Sequence, residues 1–359
     1  MKRKNSKNSK TIAVLHDIET GTAIKISYDK YFTNDAYEVY FDSESGIEVL
    51  RGCKGKLDPF ATDLPLMCDV GIMGHCENKC QFCYQGYESE DNMTLEDFKT
   101  IIDQVKHHTN QVALGGRGDP NLHLNFKEIV EYARNNDVVP NYTTSGIGLT
   151  DEQVEISKMC GAVAVSDYET PYTYDALDKF MKANIKTNIH MVLSRPNMSK
   201  SVKILYGYNP WKKYYLGKSS VDIEKLNAVV FLLFKPQGEG ANHRDMILTD
   251  LNIQTIADLI IESRCKFKVG MDSCLVNHVI QRANISKKQQ LTLDTCESAR
   301  MSVYISPSMK MMPCSFANKD MGVQIDKKNN IQTIWQKSKP FKRFRKSLKI
   351  NRFVCPAGF

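Results

Sequence analysis

Three cysteines fall within eight residues, Cys76-Glu-Asn-Lys-Cys80-Gln-Phe-Cys83, at a spacing of C-x3-C-x2-C. Closed zinc sites pair their cysteines as C-x2-C with a distant second pair or with histidines, and they close on four ligands. Thiol redox motifs need only one C-x2-C. Three close thiolates at unequal spacing can instead wrap three corners of an iron–sulfur cubane and leave the fourth iron open. An open iron is where a small molecule can chelate and be reduced. The residues between and beside these cysteines are polar (His75, Glu77, Asn78, Lys79, Gln81), so three buried structural thiols are a poor reading of this loop.

The elements around the triplet have a regular order. Apolar runs alternate with helix-period segments: 65–72, then 95–108; 111–116, then 126–135; 138–145, then 151–160; 162–166, then 174–184; 187–194, then an irregular stretch; and 228–234. Repeated βα units imply a parallel sheet and an α/β fold. Six units are too few for a closed eight-stranded barrel, so a partial (βα)6 TIM-type barrel is expected. Ligands on such sheets sit beyond the carboxyl ends of the strands. The triplet lies in the first of those loops. Ahead of the barrel, residues 11–62 alternate polar and apolar in short runs and predict a small N-terminal β-meander. Residues 1–10 are Lys/Asn/Ser-rich and read as a disordered tail. The barrel is expected over 63–264, with a smaller C-terminal region over 265–359.

The triplet resembles the signature of the radical S-adenosylmethionine (SAM) superfamily, C-x3-C-x-Φ-C, with Phe82 as the aromatic Φ. The resemblance covers about 64–240. It implies a [4Fe-4S] cluster on Cys76, Cys80 and Cys83, with SAM on the fourth iron. It also implies reductive cleavage of SAM to a 5'-deoxyadenosyl radical that takes a hydrogen atom from the substrate. An external one-electron donor of flavodoxin or ferredoxin type follows. Gly115-Gly116-Arg117-Gly118-Asp119-Pro120 is similar to the family's Gly-Gly-Glu-Pro motif, so Gly116, Gly118 and Asp119 are implied near the SAM amino group. Asp119 replaces the usual Glu, and Arg117 intrudes. Ser145, in Thr143-Thr144-Ser145-Gly146, falls where the family approaches the ribose. Ser166 ends the fourth strand and is implied at the carboxylate or ribose. Gly238 lies in the glycine-containing turn after the sixth strand, implied at the adenine. Asn188 and His190 alternate on the fifth strand, so both can face the lumen.

Residues 296–314 resemble the strand-turn-strand start of the SPASM and twitch extensions, which hold auxiliary clusters. Cys274, Cys296, Cys314 and Cys355 are then four candidate thiolates, enough for a second [4Fe-4S] cluster. Two departures stand out. Met309 occupies the usual turn-glycine position, and the later dense cysteine run is absent. The alternative is a cluster-free remnant with buried thiols.

The chain has 359 residues, eleven cysteines and a formal net charge of +7. No apolar run is long enough to span a bilayer, and the N-terminus lacks a signal-type apolar stretch. A cytoplasmic protein without membrane contact or a disulfide framework is expected. The basic stretch 337–352 reads as one face of a terminal helix rather than a nucleic-acid surface. For the substrate, the preferred expectation is a small heterocycle or modified nucleoside, with a lyase of the queuosine/queuine type as the example. The alternative is a SPASM-type maturase acting on a peptide. A non-catalytic Fe–S or SAM-binding sensor is a third reading, and Gly116, Asp119 and Ser166 argue against it.

Overall fold

The computed structural model describes residues 2–5, 10–16, 23–53, 55–86, 88–212, 225–262, 265, 267–290, 293–351 and 354–358. At the N-terminal end, β1 (Lys2–Asn5), β4 (Lys30–Thr33), β5 (Tyr37–Phe41) and β6 (Glu48–Gly52) form an antiparallel sheet in the order β1-β4-β5-β6. Two further strands, β2 (Thr11–His16) and β3 (Ala23–Tyr28), pair as a separate hairpin. The meander is therefore present. The tail expected over 1–10 is corrected in part, because Lys2–Asn5 pairs with Lys30–Thr33 along the sheet edge. Met1 and residues 6–9 lie outside the described residues, as does the turn expected at 19–21.

The barrel strands follow the expected runs closely. They are β7 (Met67–Met73), β8 (Gln111–Gly116), β9 (Val139–Thr144), β10 (Val163–Ser166), β11 (Thr187–Leu193) and β12 (Ala228–Leu233). All pair in parallel with their neighbours in chain order. The helices between them are amphipathic for a readable reason. α1 (Leu95–Val105) buries Phe98, Ile101, Ile102 and Val105, and α2 (Phe126–Asn135) buries Phe126, Ile129, Val130 and Ala133. Both sets repeat at i, i+3, i+4, i+7, which forms one helix face. Threonine hydroxyls start α1, α3 (Asp151–Ser157) and α4 (Pro171–Lys182) by accepting from the third backbone N–H, with Pro171 set in the first turn of α4. After β11 come α5 (Met198–Leu205) and, past residues outside the description, β12 and α6 (Asp250–Ile261).

The boundary expected at 264/265 is not a break in the sheet. β13 (Lys268–Met271) pairs in parallel with β12 as a seventh strand. After α7 (Ser273–Arg282) and α8 (Lys287–Gln290), β14 (Ser302–Ile305) pairs in parallel with β7 at the opposite edge. β15 (Lys310–Met312) and β16 (Val323–Gln324) continue antiparallel from there. The ten-stranded sheet thus runs β13-β12-β11-β10-β9-β8-β7-β14-β15-β16, and the C-terminal region extends it at both ends. These added strands are two to four residues long, too short to show periodicity.

The chain ends in α9 (Ile331–Lys337) and α10 (Lys339–Ile350). α10 buries Phe341, Phe344 and Leu348, and its Arg345 lies 4.5 Å over the Trp335 ring while donating to the Trp335 and Ala299 carbonyls. The basic stretch is thus the solvent side of a packed helix, as expected. Among the described residues no helix is long and apolar enough to cross a membrane.

Candidate functional site

Strand alternation sorts β7 into two faces. Cys68, Val70 and Ile72 are fully buried against the helices, which turns Asp69 and Gly71 toward the lumen. The same register places Ala113 and Gly115 on β8, Asn141 and Thr143 on β9, Ala164 and Ser166 on β10, and Asn188 and His190 on β11 on that face.

The cysteine loop leaves β7 at its carboxyl end. Cys76 is exposed, and Cys80 and Cys83 are half-buried. Each of the other two thiols raises the pKa of Cys76, after the larger effect of burial, so the three lie within electrostatic reach of one another. Among the described residues no three ligand-type side chains converge on a point that would suit a single metal ion. A cubane asks for something else, because each thiolate meets a different iron. The loop closes on itself through the Cys83 N–H to the Cys80 carbonyl at 3.0 Å. Phe82 stacks on Tyr168, ring centroids 5.7 Å apart, and the Tyr168 hydroxyl reaches Cys80.

Two other strand ends clamp this loop. After β12, Gly238 has φ +55°, and a side chain there would meet the Gly86 N, Tyr84 O and Cys83 O at 2.5–2.6 Å. The neighbouring Glu239 N–H donates to the Cys83 carbonyl at 2.9 Å. The bare backbone of Gly238, the residue implied at the adenine, is also needed for the crossing with the cluster loop. After β8, Gly116 (φ +122°) and Gly118 press on the Met73 and His75 carbonyls in the same way, and neither position has room for a side-chain carbon. Arg117 donates from Nη1 to the Gln85 and Gly86 carbonyls at 2.8 and 3.0 Å. The intruding arginine is thus a brace for the loop.

Asp119 and Ser145 come together. One Asp119 oxygen accepts from the Ser145 hydroxyl at 2.6 Å and the Thr144 hydroxyl at 3.0 Å, and both oxygens lie within 3.0 Å of the Ser145 N–H. Burial pushes the Asp119 carboxyl up, and these donors oppose the push. The pair ties the end of β8 to the end of β9, and Ser145 is buried in doing so. Phe82, Ser166 and His190 instead line a cleft of about 200 Å³ with Asp167, Tyr168 and Lys200. Lys200 bridges Asp167 and Glu169 at 2.5 and 2.6 Å along its wall. Burial holds His190 down at about 4, so its ring is neutral. Tyr168 and Lys200 have no sequence signal: a Tyr after a strand-end Asp reads as a turn, and Lys200 arrives from α5.

The four C-terminal thiols also gather. Cys314 feels Cys296 and Cys355, and Cys274 feels Cys314 and Cys355. Burial pushes Cys314 up to about 12 and Cys274 higher still. Cys274 and Cys355 share the wall of a second cavity of about 240 Å³. The β14–β15 turn holds Met309 at φ +62°, which explains why the similar extensions carry glycine there. A contact chain joins the two cysteine groups: Tyr84, next to Cys83, packs on Phe316 at 4.5 Å, and the buried Lys235 sits 4.3 Å over Phe316 and 2.6 Å from Asp272.

The sequence model of the radical SAM superfamily matches residues 70–171, the span from β7 to the start of α4. Residues 70–171 thus match a radical SAM domain. The sporulation killing factor maturation protein SkfB of Bacillus subtilis (strain 168) is 21% identical over 274 residues, 75% of this chain and 64% of that protein. The match therefore spans less than two thirds of that relative. Streptococcus suis SuiB bound to precursor peptide SuiA superposes with a TM-score of 0.62 at 14% identity, over 79% of this chain and 67% of that one. AnSMEcpe with bound AdoMet and Cp18Cys peptide superposes with a TM-score of 0.53 at 15% identity, over 78% of this chain and 82% of that one. Identities this low establish the shared fold, which is the partial barrel with its C-terminal extension.

Proposed function

We propose that this chain is a radical SAM maturase that modifies a peptide. The observation that carries the reading is the clamped three-thiol loop at the mouth of a radical SAM barrel. Cys76, Cys80 and Cys83 would hold the [4Fe-4S] cluster, leaving its fourth iron for SAM. When bound and reduced, this pair would supply radical chemistry that removes a hydrogen atom from the substrate. Gly116, Gly118, Arg117 and Gly238 fix the loop backbone, Asp119 ties the ends of β8 and β9 beside it, and the cleft of Phe82, Ser166 and His190 would receive part of SAM. A cleft of about 200 Å³ is smaller than a whole cofactor pocket, so the rest of SAM would lie along the open strand ends. Cys274, Cys296, Cys314 and Cys355 would hold a second cluster, and a flavodoxin- or ferredoxin-type protein would supply the electron.

The comparisons favour a peptide over the small heterocycle or nucleoside expected from sequence. SkfB is named for maturation, SuiB binds a precursor peptide, and anSMEcpe binds the Cp18Cys peptide. Nothing in them supports a lyase in particular. The test is 5'-deoxyadenosine formation by the reconstituted, reduced protein with short cysteine-containing peptides or with queuosine-type nucleosides. Peptide stimulation is expected. Stimulation by nucleosides alone would overturn the peptide reading.

A further inference from the structure

Asp69 takes no part in the clamp or the cleft. It lies on the lumen face of β7, and among the described residues no hydrogen bond or ion pair reaches its carboxyl. The group is enclosed by protein, while the residue as a whole keeps some accessible surface. Burial alone accounts for its rise to about 7. A carboxyl turned to the lumen with no protein partner among the described residues is free to meet a ligand there.

Its surroundings indicate the kind of ligand. Gly115 sits diagonally across on β8, and a side chain there would meet nothing nearer than the Asp69 Oδ1, at 3.6 Å. The space beside the carboxyl is therefore open. Gly71, two residues along β7, lies against the Tyr304 hydroxyl, 2.7 Å from where its own side chain would begin. Tyr304 pairs with Asp69 across β7 and β14, and both Tyr304 and Tyr84 feel the Asp69 charge. The result is a lumen-facing carboxyl with open space on its Gly115 side and two phenols within electrostatic reach. Carboxylate and aromatic faces together favour a cation, through charge and through the ring quadrupole. The Asp69 Oδ1 reaches to 3.6 Å from where a Gly115 side chain would begin, so a cation entering on that side meets the carboxyl at the level of Gly115.

We propose that Asp69, with Tyr84 and Tyr304, is a specificity subsite that takes an ammonium or guanidinium group of the substrate. The proposal rests on the peptide reading and adds to it the charge of one substrate side chain. A cation there supplies the counter-ion that the fold omits, on the side of the carboxyl that Gly115 leaves open.

The experiment uses the full reconstituted chain and two probe peptides, acetyl-Gly-Ala-Lys-Ala-Gly-amide and its norleucine counterpart. Affinity is measured by calorimetry for the parent, Asp69→Asn and Asp69→Glu. The parent is expected to bind the lysine peptide about tenfold more tightly. Asp69→Asn abolishes that ratio, and Asp69→Glu restores part of it. Asp69→Asn also raises the melting temperature at pH 8, because it removes the buried charge, so lost selectivity cannot be blamed on unfolding. Equal affinity of the parent for both peptides, or no binding of the lysine peptide, overturns the subsite. A parent that neither assembles a cluster nor cleaves SAM overturns the broader functional reading instead, and the two failures are told apart by iron content and 5'-deoxyadenosine.

Discussion

The two cysteine groups of this protein are built in opposite ways. Cys76, Cys80 and Cys83 sit on one continuous loop, exposed to half-buried, and the fold comes to them: Gly238, Gly116, Gly118 and Arg117 arrive from other strand ends and grip the loop backbone. Cys274, Cys296, Cys314 and Cys355 come from four separate places, and the fold assembles them by extending the sheet at both edges. Burial makes the Cys274 and Cys314 thiols harder to ionise. A loop site stays open to a small molecule on one side. A site drawn from scattered, buried positions is closed and tied to the folding of its surroundings.

The sharpest way to separate the groups is Cys314→Ala. Iron per reconstituted chain is expected to fall from roughly eight to roughly four, since each cubane carries four. Iron already near four in the parent would reduce the C-terminal group to buried thiols. Gly238→Ala attacks the clamp rather than a ligand. Its new carbon must displace the Cys83–Gly86 backbone and adopt a left-handed conformation, a cost of about 3 kcal/mol. The loss should appear in the urea midpoint together with weakened iron binding. An unchanged midpoint would mean that the crossing is loose.

Acid tests the lumen beside the loop. His190 titrates at about 4 in the fold and near 6.5 when unfolded, so between those values the unfolded chain binds more protons and stability falls as pH falls. From about pH 7 to pH 5 this contributes a loss of about 2 kcal/mol, which His190→Gln removes. A variant with the parent's acid slope would contradict the burial of that ring. The smallest effect is expected at Lys319–Glu88, an exposed ion pair of 2.5 Å joining the C-terminal region to the segment just after the cluster loop. Water and salt screen such a pair, so Lys319→Ala should leave the urea midpoint almost where it was, and high salt should erase what difference there is. A large shift would mean that the two regions lean on this contact far more than its exposure implies.

Legibility in the sequence divides along the same line. The βα repeats, the triplet and the strand ends of β8 to β12 can be read directly, because hydrophobic periodicity and a contiguous motif are local signals. The seventh parallel strand escapes such a reading because Lys268–Met271 is too short to show a period. The boundary at 264/265 goes with it. The glycines at 116, 118 and 238 are legible as special positions, yet their neighbours are not: sequence shows that a backbone must come close to something, and only the fold shows that it is the cluster loop. Met309 reads as a departure from the glycine pattern, whereas its φ of +62° shows that the turn keeps its shape and accepts the strain. Asp69 is invisible among apolar residues because a missing partner has no sequence signature. The peptide preference comes from the relatives, since substrate choice resides in lumen contacts that no short motif encodes.

The central claim is that Cys76, Cys80 and Cys83 carry a cluster that cleaves SAM. The direct measurement is 5'-deoxyadenosine and methionine formed by the anaerobically reconstituted, dithionite-reduced protein with SAM, for the parent and for Cys83→Ala. The account predicts both products from the parent and none from the variant. A parent that assembles its cluster and leaves SAM intact, even with peptides present, would contradict it.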